Sequence, residues 1–293
     1  MVTDEIEMNP VNPSMRRSGA NPRTRFLVLL TTLGILSLAL AVSQTGLFGQ
    51  YPGSNGQAFR QNPLTSPSFL IQDRELLANA KLSILFVGNS HTGSHDLPKL
   101  VTELVNERLR PGQAMGLYHH VSFLDEAVND EALRREIESR EWNAIVLQAQ
   151  KISSSGKYMH PVDGGVWLAK HALSNECQPY FYSEWGIQDV PDHTQFTERI
   201  YRSMANESGG RLIPVGRVWE AVLADDPEME LYSTDGNHQS RLGASLTALA
   251  IACFLLDEPA SVFADYDDPA ANHQQWKLFV EKISQVQAQV DPK

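Results

Sequence analysis

The chain has 293 residues, a net charge of -11 and a pI near 5.3, an acidic balance that sets aside nucleic acid as a partner because phosphate binding needs a concentrated basic surface. Two cysteines, Cys177 and Cys253, are too few and too far apart in sequence for a disulfide framework or a zinc site. An apolar fraction of 42% and a charged fraction of 20% suit one globular domain of moderate size with additional segments.

Residues 26–42, FLVLLTTLGILSLALAV, carry no charge and follow Arg16, Arg17, Arg23 and Arg25. The run is longer than the usual signal-peptide core and at the short end for a spanning helix, so two readings stand. One is an uncleaved signal anchor; the other is a signal peptide with the small residues ALA at 39–41 as its cleavage site. The long polar stretch ahead of the run favours the anchor. In either case the arginines predict an N-in orientation, with everything beyond the segment outside the cytoplasm. The chain therefore divides into a short cytoplasmic tail (1–25), the membrane anchor or signal peptide (26–45), a linker rich in Gly, Pro, Ser, Gln and Asn (46–78), and a folded domain (79–293).

Within that domain short apolar runs alternate with helical patterns, the signature of a mostly parallel sheet covered by helices on both faces. Strands are predicted at 82–87 (LSILFV), 115–123, 144–148 (AIVLQ), 179–184 (PYFYSE) and 211–215 (RLIPV). Helices are predicted near 97–109, 128–140, 164–174, 194–207, 240–256 and 273–288. In the last, Trp276, Phe279, Val280, Ile283 and Val286 recur at helical spacing and define a face that packs on the sheet. Cys253, inside the apolar run LTALAIACFLL, reads as a small core residue.

The first strand ends in VGNSHT, with Ser90 after Gly88 and Asn89. Ligands of open α/β sheets bind outside the carboxyl ends of the strands, and a serine at a tight turn there presents its hydroxyl to solvent and its N–H to an incoming oxyanion. The same residues also suit a turn or a helix cap. The second informative stretch is STDGNHQSRLG at 233–243, where Asp235 and His238 stand three apart on a loop before an apolar helix. A carboxylate at that spacing orients an imidazole and stabilises its protonated form, and such a base makes a serine nucleophilic. Here too a turn at Asp235 and Gly236 with Ser240 as helix cap is the plainer reading.

Taken together, VGNSHT and DGNH resemble the SGNH hydrolases, also called GDSL esterases and lipases, in motif order and separation over residues 81–257. The resemblance implies a flavodoxin-like three-layer α/β/α sandwich with a mostly parallel five-stranded sheet. It also implies Ser90 as nucleophile, His238 as general base and Asp235 as its orienting partner, with no metal or cofactor. The family's Gly-x-Asn-Asp after the third strand is absent. The chain has IVLQAQKISSSG there, similar to a branch with Gln-x-Gln, which implies a glutamine amide in the oxyanion hole beside the Ser90 N–H. Gln150 fits by counting from the strand, and Gln148 is the alternative. No glycine after the second strand matches the remaining donor, and Gly116 lies too early.

Other residues carry less weight. His91, His95 and Asp96 read as a polar cluster at a helix start more readily than as a metal site. His119 and His120 are adjacent on a strand and so face opposite sides of it. Glu184 and Trp185, ending the fourth strand, border the expected cleft, and NES at 206–208 is a glycosylation sequon in a predicted helix end. The expected activity is ester hydrolysis through an acyl-enzyme, with short acyl or acetyl esters on polysaccharides or cell-envelope glycans as the expected substrate class and small acyl esters as the alternative. An acyltransferase with the same triad and a non-catalytic glycan-binding domain are the competing readings.

Overall fold

Leu82–Gly88 forms β1, seven residues whose interior positions are all fully buried, which is how a strand covered on both faces reads. The structure, a computed structural model, describes residues 79–139 and 141–290. The expected cytoplasmic tail, anchor or signal peptide and linker lie outside the described residues. Among the described residues no helix is long and apolar enough to cross a membrane.

The further strands are β2 (Ala114–His120), β3 (Ala144–Leu147), β4 (Gln178–Tyr182) and β5 (Arg211–Ile213). All pair in parallel, in the order β2-β1-β3-β4-β5. The helices are α1 (Ser90–Gly93), α2 (Leu97–Leu109), α3 (Leu124–Ala127), α4 (Glu131–Glu138), α5 (Asp163–Ser174), α6 (His193–Ser208), α7 (Val215–Asp225), α8 (Arg241–Leu256) and α9 (His273–Val290). Alternate strand residues point to opposite faces, so two cores form. Ile84, Phe86, Val146, Tyr182 and Ile213 face α2, α7, α8 and α9, whereas Leu85, Val87, Ile145, Leu147 and Phe181 face α3 to α6. Each such side chain contributes roughly 1.5–3 kcal/mol by leaving water. This three-layer arrangement carries the expected architecture.

The differences from expectation have local causes. β2 stops at His120, where Val121 still donates its N–H to Gly88 O (2.9 Å) before the chain turns into α3. The helix predicted at 128–140 is shorter, Glu131–Glu138, because Asp130 caps its start by accepting from the Ala132 and Leu133 N–H groups, and the separate short helix α3 ahead of it was not expected. α7 was not expected. It starts two residues after β5, with only Pro214 between, so RLIPVGRVWEAVL reads as one apolar run, yet Val215, Val218, Trp219 and Val222 bury a single helical face. The expected face of α9 is buried, but it packs chiefly on α7 and the 3₁₀ turn Ala260–Phe263 and not on the sheet as expected; Cys253 has no exposed surface within α8.

Between β1 and β3 the connections diverge, one running out to β2 and the other across to β4. In parallel sheets such a switch point opens a crevice at the carboxyl ends of the two strands. Ser90 follows β1 and Gln148 follows β3 at that place.

Candidate active site

The turn after β1 is built so that Asn89, not Ser90, serves as the helix cap. Asn89 has extended backbone and its Oδ1 accepts the His91 N–H (3.0 Å). Ser90 is thereby the first residue of α1, with an exposed side chain and an N–H that has no intrahelical acceptor. The reason for glycine at position 88 is space. Gly88 is not among the left-handed residues, but a Cβ there would lie 2.7 Å from Gln148 Oε1 and also against Thr92 Oγ1.

The loop carrying His238 folds on Asp235. Its Oδ1 accepts from Ser233 Oγ (2.7 Å) and from the N–H groups of Asn237 and His238 (both 2.9 Å), while Oδ2 lies 2.6 Å from His238 Nδ1. Burial alone would raise the carboxyl pKa, but these donors outweigh it and hold Asp235 well below the usual carboxylate range. An ionised carboxylate only accepts, so the imidazole proton sits on Nδ1 and Nε2 is an acceptor. That nitrogen lies 2.7 Å from Ser90 Oγ. The plainer features hold at the same time: Gly236 adopts φ 67° in the turn, and Ser240 Oγ accepts the Gly243 N–H (3.0 Å) to cap α8.

Contacts on either side of this series stitch the two segments together. His91 Nε2 meets Asn237 O (3.2 Å), His95 Nε2 meets Gln239 O (3.1 Å), and Gln239 Nε2 donates to Ser94 O (3.1 Å). His91 and His95 thus face carbonyls of the His238 loop, a function that their position beside the serine does not reveal in sequence. Trp185, expected to border the cleft, is instead buried beneath that loop and donates its Nε1–H to Asn237 O (2.9 Å).

The glutamines depart from expectation. Gln150 directs its amide to Pro161 O (3.0 Å) and Lys151 O (3.4 Å), so its N–H groups hold the following loop and are not turned to the oxyanion position expected for them. Gln148, fully buried, turns its oxygen toward the Ser90 turn: Oε1 accepts from the Asn89 N–H (3.1 Å) and Thr92 Oγ1 (2.8 Å). Its Nε2 faces Glu184 without a hydrogen bond of good geometry. The physical reason is Ala149, whose φ of 89° breaks the strand alternation on which counting to Gln150 relies. The Tyr201 hydroxyl, which sequence reasoning missed, accepts the N–H groups of Ala149 (3.2 Å) and Gln150 (3.1 Å) and holds this conformation. Burial raises the Glu184 pKa to about 7, against the opposing pull of the Tyr201 hydroxyl and the Gln148 amide.

No protein-family model matches the chain, and no curated protein matches it in sequence. Among solved structures, a DUF4886 family protein from Bacteroides uniformis ATCC 8492 is similar over 72% of this chain and 95% of its own, at 14% identity and a TM-score of 0.54. The shared property is the fold. Structures similar to this chain also include proteins described as SGNH or GDSL hydrolases. One, from Slackia heliotrinireducens and described as a candidate SGNH hydrolase, is matched over 59% of this chain and 98% of its own at 27% identity and a TM-score of 0.49. A lipase/acylhydrolase from Enterococcus faecalis is matched over 59% and 95% at 13% identity and a TM-score of 0.45.

The remaining expected positions lie away from Ser90 or serve the scaffold. His119 is buried with its Nε2 2.7 Å from Asp130 Oδ2, while His120 is exposed, as strand alternation requires. Gly116 is inside β2 opposite Ile84, and Asn206 of the sequon is exposed on the last turn of α6. A cavity of about 210 Å³ lies between Ser154–Gly156 and the start of α6, lined in part by His193, Phe196 and Arg199; none of Ser90, Asp235 and His238 lines it.

Proposed function

We propose that this chain is a serine hydrolase of the SGNH type that cleaves ester bonds through a covalent acyl-enzyme. The observation that carries the reading is the hydrogen-bonded series from Ser90 Oγ through both nitrogens of His238 to Asp235, at 2.7 and 2.6 Å, on a serine exposed at the switch point of the sheet. Ser90 Oγ attacks the ester carbonyl as His238 Nε2 takes its proton. The Asp235 carboxylate stabilises the imidazolium, and the free N–H of Ser90 faces the oxygen on which charge develops. Collapse breaks the ester C–O bond, and His238 returns the proton to the leaving alcohol. Water then attacks the acyl-enzyme with His238 as base, releasing the carboxylic acid and restoring Ser90.

The substrate class we propose is a short acyl or acetyl ester, carried on carbohydrate of the cell envelope. It is supported by the export signal in the sequence: four arginines ahead of an uncharged apolar run, which argue for a membrane-anchored or secreted chain with its catalytic domain outside the cytoplasm. Protease added to spheroplasts is expected to degrade the domain and spare a tag at residue 1, and a protected domain overturns the orientation.

Hydrolysis of p-nitrophenyl acetate by the full chain tests the reaction, together with mass mapping of a fluorophosphonate adduct to Ser90. No turnover and no adduct would remove the hydrolase reading. Product analysis with an added sugar acceptor separates hydrolysis from acyl transfer.

A further inference from the structure

His238 is half-exposed and sits on a surface loop, so two hydrogen bonds alone would hold its ring, and one of them, to Ser90 Oγ, is lost whenever the serine is acylated. A second restraint lies on its face. The His91 ring stacks on His238 with centroids 4.9 Å apart and planes within 24°. Behind His91 comes Trp185 (5.5 Å, tilted), then Trp219 stacked on Trp185 (3.8 Å, 8°), then Tyr232 edge-on to Trp219 (5.1 Å). Trp185 and Trp219 are 3% and 1% exposed, so the column runs from the proposed base into the core between the sheet and its helices.

We propose that His91 is a positioning residue for His238, its ring face fixing the plane of the base so that Nε2 stays aimed at the serine oxygen and, after acylation, at the attacking water. The proposal rests on the serine-hydrolase reading above. The stacking face, not the hydrogen bond of His91, is the element that nothing else supplies. His91 Nε2–H donates to Asn237 O, but that carbonyl already accepts the Trp185 Nε1–H at the shorter distance of 2.9 Å, so the loop keeps a donor if His91 loses its own. No other ring contacts His238 among the described residues. The chemistry also requires the stacked ring to be neutral, because a second cation at this distance would oppose the imidazolium that forms on His238. Burial first, and His238 second, lower the His91 pKa to about 4, against the weaker upward pull of the Asn237 carbonyl and Asp235.

Two substitutions of similar size separate face from donor. His91→Phe keeps a planar ring and removes the N–H; His91→Gln keeps an N–H and removes the ring. In the full chain, kcat/KM for p-nitrophenyl acetate and the low-field proton resonance of the His238 Nδ1–H are read together, with thermal unfolding to confirm folding. His91→Gln is expected to lower kcat/KM by roughly 10- to 100-fold, the cost of a misplaced catalytic group, and to broaden the resonance through faster solvent exchange. His91→Phe is expected to rescue most of both. If His91→Gln leaves both readouts at the wild-type level, or if His91→Phe is as impaired as His91→Gln, the proposal is wrong. Should the wild type lack esterase activity while its resonance still depends on a ring at position 91, the positioning stands and the reaction assigned to the site falls.

Discussion

Ser90 and His238 are 148 residues apart in the chain, and their Oγ and Nε2 atoms are 2.7 Å apart in space. Asp235, three residues before His238, both folds the loop through Oδ1 and fixes the imidazole tautomer through Oδ2, so one side chain sets the position and the orientation of the ring. The serine is exposed because Asn89 takes the capping duty that a serine at a helix start commonly performs.

If these groups act as a unit, Ser90→Ala and His238→Ala each lower kcat for p-nitrophenyl acetate by about 10⁴ or more, and the double variant is little worse than either. Asp235→Asn is expected to cost less than the other two. Steady-state kinetics on folded variants check this, and substantial turnover by Ser90→Ala would show that no acyl-enzyme forms.

The two glutamines are expected to separate by kinetic parameter. Gln148→Ala strands the Asn89 N–H and the buried Thr92 hydroxyl, which is expected to lower stability by about 1–3 kcal/mol and to lower kcat as the Ser90 turn loosens. Gln150→Ala frees the loop that the amide anchors at Pro161, so its effect falls on KM. Urea unfolding with initial-rate measurements distinguishes the patterns; a pure kcat loss in Gln150→Ala would return that amide to the oxyanion.

Glu184 makes stability depend on pH. Its pKa is raised to about 7 in the folded chain from an ordinary carboxyl value, so between roughly pH 4.5 and 7 the folded state binds more protons than the unfolded one. Stability from this group is therefore present at low pH and lost as pH rises through 7. Glu184→Gln removes that slope, and the difference in unfolding free energy between variant and wild type should shift in favour of the variant from pH 5 to pH 8. Comparing the two chains cancels the opposite contribution of His91, whose lowered pKa favours folding as pH rises. A pH-independent difference would show that Glu184 ionises normally.

Gly88→Ala tests the close approach beneath the Ser90 turn. The added methyl meets Gln148 Oε1 and Thr92 Oγ1, and overpacking of this kind costs about 1–3 kcal/mol. Thermal unfolding should show the loss and kcat should fall with it, whereas an unperturbed variant would mean that the turn yields easily.

Four of the five strands and most of the helices were legible in the sequence because each buries a continuous or periodic apolar set whose pattern survives without knowledge of its neighbours, whereas the edge strand β2 is only half-buried. α7 was not, since its first apolar residues continue those of β5 and only Pro214 divides them. At the site, Ser90, Asp235 and His238 stood out because serine, carboxylate and imidazole at turn positions carry chemistry that apolar cores do not need. The Gln150 side chain points elsewhere than counting implies for a definite reason: counting along a strand assumes extended backbone, and Ala149 leaves it under the hold of the Tyr201 hydroxyl.

By itself the sequence determined the layers, the parallel sheet and the two segments that meet at its carboxyl edge, since local periodicity and turn chemistry act over a few residues. Tertiary structure alone decided which atoms meet. The column His238, His91, Trp185, Trp219 joins four separate segments, and its stacking depends on side-chain orientations that no spacing along the chain encodes. Likewise, Gln148 supports the Ser90 turn because β1 and β3 pair side by side, a neighbour relation set by the packing of helices on both faces of the sheet.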